Sequence, residues 1–460
     1  ITQASILGGG SSINDMVYMR GRPSDYDEWS DSTKEKNWSY QSMLPYFKLV
    51  EDNNRLFDEN HGIGGDLKVS DSKDTCELTK IYVKTMQAMG HPYNPDFNSG
   101  NQRGVGYMQF TIDQGVRCNA TKAFLSNNKF KKFLTITTKS KATKIIFKND
   151  KAIGVEFYKN KIKNTVFANN EIILTAGSFN SPKLLMLSGI GNEEELKKHS
   201  IEKVFISEGV GQNLQDHHEV SVISKTKPGY GYFGQDKGLK MLKNIFQYLL
   251  FKEGPAATIG CDGCTFLNPD KTIKDYTEEP SIKLYCVPKV QLDKNVKDIG
   301  QFDGITLNSV LMRPKSRGEI KLKSSDPYDM PLLNPNYLNH EDDKRLQISA
   351  FKYSREILNT KPLNDIVINE VFPGEKVKTD EDILNHCKKS IKTNWHPVGT
   401  CKMGTYEDIN AVCDTNLRVK GVRGLRIFDA SSFPNLVAGN TNAPVIAFAL
   451  KAVTELINEY

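Results

Sequence analysis

The chain has 460 residues, 38% of them hydrophobic and 25% charged, with 61 lysines and arginines against 55 aspartates and glutamates. That length exceeds one simple core and calls for two domains or one large interleaved unit. The net charge of +6 is small, and basic residues gather only in short clusters such as Lys129, Lys131, Lys132 and Lys139, Lys141, Lys144. Those read as solvated faces and exclude a nucleic-acid surface.

The chain opens on Ile1 with neither initiator methionine nor secretory signal, and so reads as an excerpt. Gly8-Gly9-Gly10-Ser11-Ser12 leads into a helix-like stretch, small residues suited to backbone lying close against a flat ligand. An acidic and aromatic segment, 25–54, carries short helices around 42–50. Strand-like patches follow at 65–69 and 105–112. Phe133–Thr137 alternates like a strand. Ala142–Phe147 and Ala152–Phe157 predict a hairpin turning at Asn149-Asp150. Glu171–Thr175 is a strand ending at Ala176-Gly177, and Pro182 is placed to open a helix at 183–187. A strand, a small-residue turn and a helix present a helix N-terminus to a ligand.

The middle of the chain, 220–394, predicts mixed strands at 282–288, 304–312 and 317–322 and a helix at 346–358. No apolar run approaches the ~20 residues that span a bilayer. Met241–Phe251, the best candidate, is broken by lysine and glutamine and reads as an amphipathic core helix. Leu425–Asp429 is a strand with an acid at its end, and Pro444 opens the closing helix, 444–457.

Eight cysteines leave the redox compartment open. Cys261 and Cys264 have CxxC spacing, but no second pair or histidine pair accompanies them, so no metal site is expected. Sequons at Asn37 and Asn119 permit glycosylation in a secretory pathway.

The candidate chemistry lies near the C-terminus. In Trp395-His396-Pro397-Val398-Gly399-Thr400 a histidine sits on a loop constrained by proline and glycine. An imidazole there suits the removal of a proton from a hydroxyl. Gly439-Asn440-Thr441-Asn442 forms a second polar turn before the last helix. By itself Asn440 reads equally as a helix-capping residue.

Five ordered motifs resemble the glucose-methanol-choline (GMC) oxidoreductases. They are Gly9–Met16, Gly177–Gly191, Val210–His217, the His396 loop and the block from Asp429 to Pro444. Asp25-Tyr26-Asp27-Glu28-Trp29 and Leu44-Pro45-Tyr46-Phe47 resemble the insect glucose-dehydrogenase branch. The resemblance implies an α/β fold, with an FAD-binding domain (1–30, 115–219, 395–460) interleaved with an antiparallel-sheet substrate domain (31–114, 220–394). It implies a flavoprotein oxidising the CH–OH group of a sugar or other alcohol. His396 would abstract the hydroxyl proton, Asn440 would bind the substrate oxygen, and hydride would pass to flavin N5.

The FAD contacts implied are Gly9, Gly10, Asn14 and Met16 along the ring system, and Ala142 at the adenine. Ala176 and Gly177 would line the dinucleotide side, Asp429 and Ala430 its centre, and Thr441, Asn442 and Pro444 the flavin. Ile13 stands where some members carry a flavin-linked histidine, so non-covalent FAD is expected. Members begin with a βαβ unit bearing a G-x-G-x-x-G turn. Nothing before Gly8 matches it, so the chain reads as N-terminally truncated and weak or deficient in FAD binding. A quinone or other acceptor, secretion, and the absence of a membrane span complete the expectations. The alternatives are an oxygen-using oxidase of steroids or hydrophobic alcohols and an inactive remnant.

Overall fold

The computed structural model describes residues 2–126, 131–270, 278–291 and 299–460; Lys129 of the first basic cluster lies outside them. Its largest element is an antiparallel sheet with strand order Val367–Phe372, His218–Thr226, Gly304–Leu311, Ile282–Val287, Gly263–Leu267, Gly104–Tyr107. Lys392–Thr393 pairs with the start of His218–Thr226. The inner strands are buried on both faces, which explains why they lack the polar alternation of a half-exposed sheet. Side chains of successive residues point to opposite faces. One face, with Leu284, Cys286, Ile305 and Leu307, packs on the helices Glu77–Ala88, Glu341–Leu358 and Asp380–Ser390. The other carries Cys264, Phe266, Tyr285 and Val310 into a second cluster with Val17, Met19 and Met312, against which Met16 packs. That second face looks toward the candidate site.

The α/β part holds a parallel pair, with Ile172 opposite Leu425 and Leu174 opposite Ile427. A three-stranded antiparallel sheet (Ser140–Lys148, Lys151–Lys159, Ile162–Phe167) adjoins it, through the Ser188 hydroxyl accepting from the Ile145 amide. The expected hairpin is there, turning at Asn149 in a left-handed conformation, φ 55°. Three helices, Pro23–Thr33, Tyr40–Val50 and Asn442–Glu459, bury an aromatic core of Tyr26, Trp29, Trp38, Phe47, Phe433 and Phe448.

Four expectations fail locally. The segment after Gly8–Gly10 forms a 3-10 turn and the strand Val17–Tyr18, not a helix. Phe133–Thr137 is no strand: Phe133 closes a 3-10 turn and the remainder is exposed and unpaired in any ladder. Alternation without a neighbouring strand edge cannot make a sheet. The helix after the Ala176 turn begins at Gly177, so Pro182 lies inside it. Proline has no N–H to donate four residues back, and the Ser178 carbonyl it leaves free accepts the Thr400 hydroxyl instead, at 2.6 Å. Met241–Phe251 belongs to the helix Gly238–Phe251, which is not a core element: Asn244 is its buried residue and most of its large apolar side chains are exposed.

Candidate active site

The His396 loop is set by contacts on three sides. Trp395 adopts a left-handed backbone, φ 58°, uncommon for a bulky residue; its amide donates to Thr393 Oγ1. The next amide, of His396, donates to Asp216 Oδ1 at 2.8 Å. Burial raises the Asp216 carboxyl to about 6, against the lowering pull of hydrogen bonds from Thr393, Tyr337 and the His396 backbone. Beyond the histidine, the amides of Gly399, Cys401 and Met403 donate to the carbonyls of Ala430, Ser431 and Ser432. Ser178 Oγ donates to the Pro397 carbonyl at 2.6 Å. A loop tied at every second residue holds its imidazole rigidly.

The hydrogen-bond chain assigns the protons. His217 Nε2 lies 3.0 Å from the Met312 carbonyl, which only accepts, so Nε2 carries the hydrogen. Burial drives the His217 pKa down to about 3, so the ring is neutral and its Nδ1 bare. His396 Nδ1, 2.9 Å away, therefore donates to it. That leaves His396 Nε2 unprotonated, and Asn440 Nδ2 donates to it at 3.1 Å. Burial, then the neighbouring His217 and Lys283, hold His396 well below the ordinary histidine range. The imidazole is a free base with its lone pair directed at Asn440.

Asn440 is oriented from its other end. Lys283 Nζ and Tyr285 Oη each donate to Asn440 Oδ1 at 3.1 Å, which turns the amide nitrogen toward His396. Lys283 is fully buried with no carboxylate partner among the described residues. Its ammonium lies 4.2 Å from the Tyr285 ring centre and 5.2 Å from that of Phe266, cation–π contacts that partly replace lost water. Burial lowers its pKa to about 8.

The remaining candidates fall into groups. Gly177 N–H and Ser181 Oγ both donate to Asp429 Oδ2, and Ser431 N–H to Oδ1. Asp429, Ala430, Ala176 and Gly177 thus meet where the two parallel strands end. The Asp429 carboxylate is occupied by protein donors, so it shapes this corner rather than facing outward. Asn14 Oδ1 accepts from the Met16 amide and from Arg117 Nη1, and Met16 is left-handed, φ 58°. Thr441, Asn442 and the buried Pro444 open the last helix directly after Asn440. Ala142 is exposed on the strand Ser140–Lys148.

The cradle suits a flat dinucleotide. A Cβ added to Gly9, Gly10 or Gly177 would meet open space within 4 Å, and Gly177 sits at φ 81° at a helix start. The absence of side chains at these glycines lets a ligand lie close to the backbone, while the Gly177 N–H itself is held by Asp429. Thr121 Oγ1, beside Gly8, is buried without a protein partner. Among the described residues no cluster of histidine, cysteine or carboxylate could hold a metal.

Lys283, Tyr285 and the partner role of His217 escaped the sequence reading. The available signal was a lysine inside the apolar run Ile282–Val287, since lysine is rarely buried without purpose.

Known proteins resemble this chain along nearly its whole length. Family profiles described as GMC oxidoreductase match residues 1–219 and 314–449. An alcohol dehydrogenase (acceptor) of Pseudomonas putida is 36% identical over 462 residues, 98% of this chain and 81% of that protein. An oxygen-dependent choline dehydrogenase of Brucella anthropi is 36% identical over 455 residues, 99% of this chain and 82% of its own. Among solved structures, pyridoxine 4-oxidase from Mesorbium loti superimposes with a TM-score of 0.89 at 27% identity, covering 100% of this chain and 85% of that one. The Aspergillus oryzae formate oxidase, a protein studied for modification of its FAD, gives 0.89 at 25% identity, with the same coverage.

Proposed function

The chain belongs to the GMC oxidoreductase family, and from that premise we propose that it is an FAD-dependent oxidoreductase of an apolar alcohol. The observation that carries the reading is the bare Nε2 of His396 facing the amide of Asn440. A hydroxyl placed between them donates its proton to Nε2 and accepts from Nδ2, replacing the contact the two residues now make. His217 stabilises the charge that follows by accepting from His396 Nδ1. Lys283 and Tyr285 keep Asn440 from turning its oxygen toward the substrate. FAD supplies, when bound, a two-electron acceptor. Gly9, Gly10, Asn14, Met16, Ala142, Ala176, Gly177, Ala430 and Thr441–Pro444 are the residues that would hold it, non-covalently since Ile13 offers no linking side chain.

The choice of an apolar alcohol rests on the wall beside Asn440. Met16, Phe266, Met312 and Tyr285 belong to one apolar cluster there, and both nearby donors are already engaged on Asn440. A sugar needs a partner for each buried hydroxyl. The sugar reading keeps only the branch motifs, and Tyr26, Trp29 and Phe47 of those motifs are spent in the aromatic core. A quinone acceptor stands on family likeness alone, and secretion on that likeness together with the sequons at Asn37 and Asn119. Neither sequon supports secretion strongly, because Asn119 Nδ2 is bonded to Ser12 and Asn37 Oδ1 is buried.

The test is to load the chain with FAD, desalt it, and follow bleaching of the bound flavin without oxygen. Aliphatic and benzylic alcohols, choline and glucose form the panel. Bleaching by the first two, lost in His396→Ala, is the expected result. Bleaching that persists in His396→Ala, or bleaching by glucose alone, overturns the reading.

A further inference from the structure

The helix Gly238–Phe251 departs most from what a water-facing element should be. At about 100° per residue, Leu239, Leu242, Ile245, Phe246, Leu249 and Leu250 fall on one outward side, and they are 42% to 85% exposed. Such a stripe is normally buried against a core, and an exposed apolar patch of this kind marks an interaction site. Val116, at the tip of the hairpin Ile112–Arg117, is also exposed and adjoins it: Tyr248 Oη donates to the Gly115 carbonyl.

Charge distinguishes the possible occupants. The helix holds no acidic residue between Gly238 and Lys252. Lys240 and Lys243 flank the stripe on one side and Lys252 on the other, and none of the three forms an ion pair among the described residues. A second copy packed across a two-fold axis would bring two identically charged borders together. An anionic lipid surface instead accepts leucine and phenylalanine below its headgroups while its phosphates meet the lysines. No helix among the described residues is long and apolar enough to cross a membrane, so the geometry is that of lying on one.

We propose that the Gly238–Phe251 helix docks this protein on anionic phospholipid, its apolar stripe in the interface and Lys240, Lys243 and Lys252 at the phosphates. The same hairpin carries Arg117, whose Nη1 donates to Asn14 O and Oδ1 at 2.7 Å. Docking therefore places the glycine-rich site loop one hairpin away from the lipid. Its use there, drawing an apolar alcohol or acceptor from the bilayer, rests on the function proposed above; docking itself does not.

Sedimentation of the full chain with vesicles tests docking without any turnover. Vesicles of equal phosphatidylcholine and phosphatidylserine should carry the protein down, at about tenfold higher affinity than pure phosphatidylcholine, weakening with salt. Leu242→Glu with Phe246→Glu should abolish binding and leave turnover with a soluble acceptor unchanged, which shows the fold is intact. Independently, Phe246→Trp should give a blue-shifted emission component only with the mixed vesicles. Retention of wild type in the supernatant with both vesicles overturns the proposal. So does equal binding to both. So does a dimer in solution that the double glutamate variant converts to monomer.

Discussion

The Nδ1 atoms of His217 and His396 lie 2.9 Å apart with their rings perpendicular. Two imidazoles can share one hydrogen only if one ring presents a bare nitrogen, and the Met312 carbonyl, by holding the opposite hydrogen of His217, makes that ring the acceptor. One backbone carbonyl thereby decides which nitrogen of His396 is free for a substrate.

Replacing His396 with alanine should lower kcat by roughly 10²–10⁴-fold, the usual worth of a general base. Flavin retention and the melting temperature should change little by comparison. A turnover number within tenfold of wild type would mean that the proton leaves by another route.

The acid limb of kcat/KM should sit well below the ordinary histidine pKa, because burial, His217 and Lys283 all oppose charging His396. Only the neutral imidazole accepts a proton, so activity is lost as pH falls through the His396 pKa. Lys283→Met removes one positive neighbour and should move that limb to higher pH. An unmoved limb with reduced kcat would mean that Lys283 acts through its bond to Asn440 and not through its charge on His396.

The bond from Thr400 to the carbonyl that Pro182 leaves free is a local weak point with a calculable cost. Thr400→Val keeps the shape but strands the buried Ser178 oxygen, for about 1–3 kcal/mol of stability. Chemical denaturation measures it, and a variant as stable as wild type would show that the carbonyl finds another donor. Gly399→Ala should be as harmful, since φ is 85° there and the new Cβ would lie 2.9 Å from the Asn213 backbone oxygen.

His61 should impose an alkaline loss of stability. Burial acts to lower its pKa, but hydrogen bonds to Asp96 and Glu51 prevail and raise it from 6.5 to about 8. The folded state then binds a proton more tightly than the unfolded chain. Its stabilisation is complete below pH 6.5 and disappears as pH rises through about 8, a loss of about 2 kcal/mol. Unfolding free energies between pH 6 and 9 measure it, and His61→Gln should flatten that slope. An equal slope in the variant would place the titration elsewhere.

The elements legible in the sequence were those whose cause is local. The hairpin around Asn149 follows from period-two alternation and a turn residue that tolerates positive φ. The His396 loop and the Asn440 turn stand out because proline, glycine and asparagine act on their own backbone. Local pattern misled where a partner was needed: Phe133–Thr137 alternates but meets no strand, and Gly238–Phe251 is amphipathic yet has no core to cover it.

The residues that tune the site were beyond any local reading. Lys283 and Tyr285 reach Asn440 across 157 and 155 positions of chain, and His217 reaches His396 across 179. The sequence by itself determined which residue types could remove and receive a proton, because that is a property of the side chain. Tertiary structure decided which nitrogen is bare, which way the Asn440 amide points and how far His396 resists protonation. Those follow from burial and from donors that only the packed sheet brings within 3.1 Å.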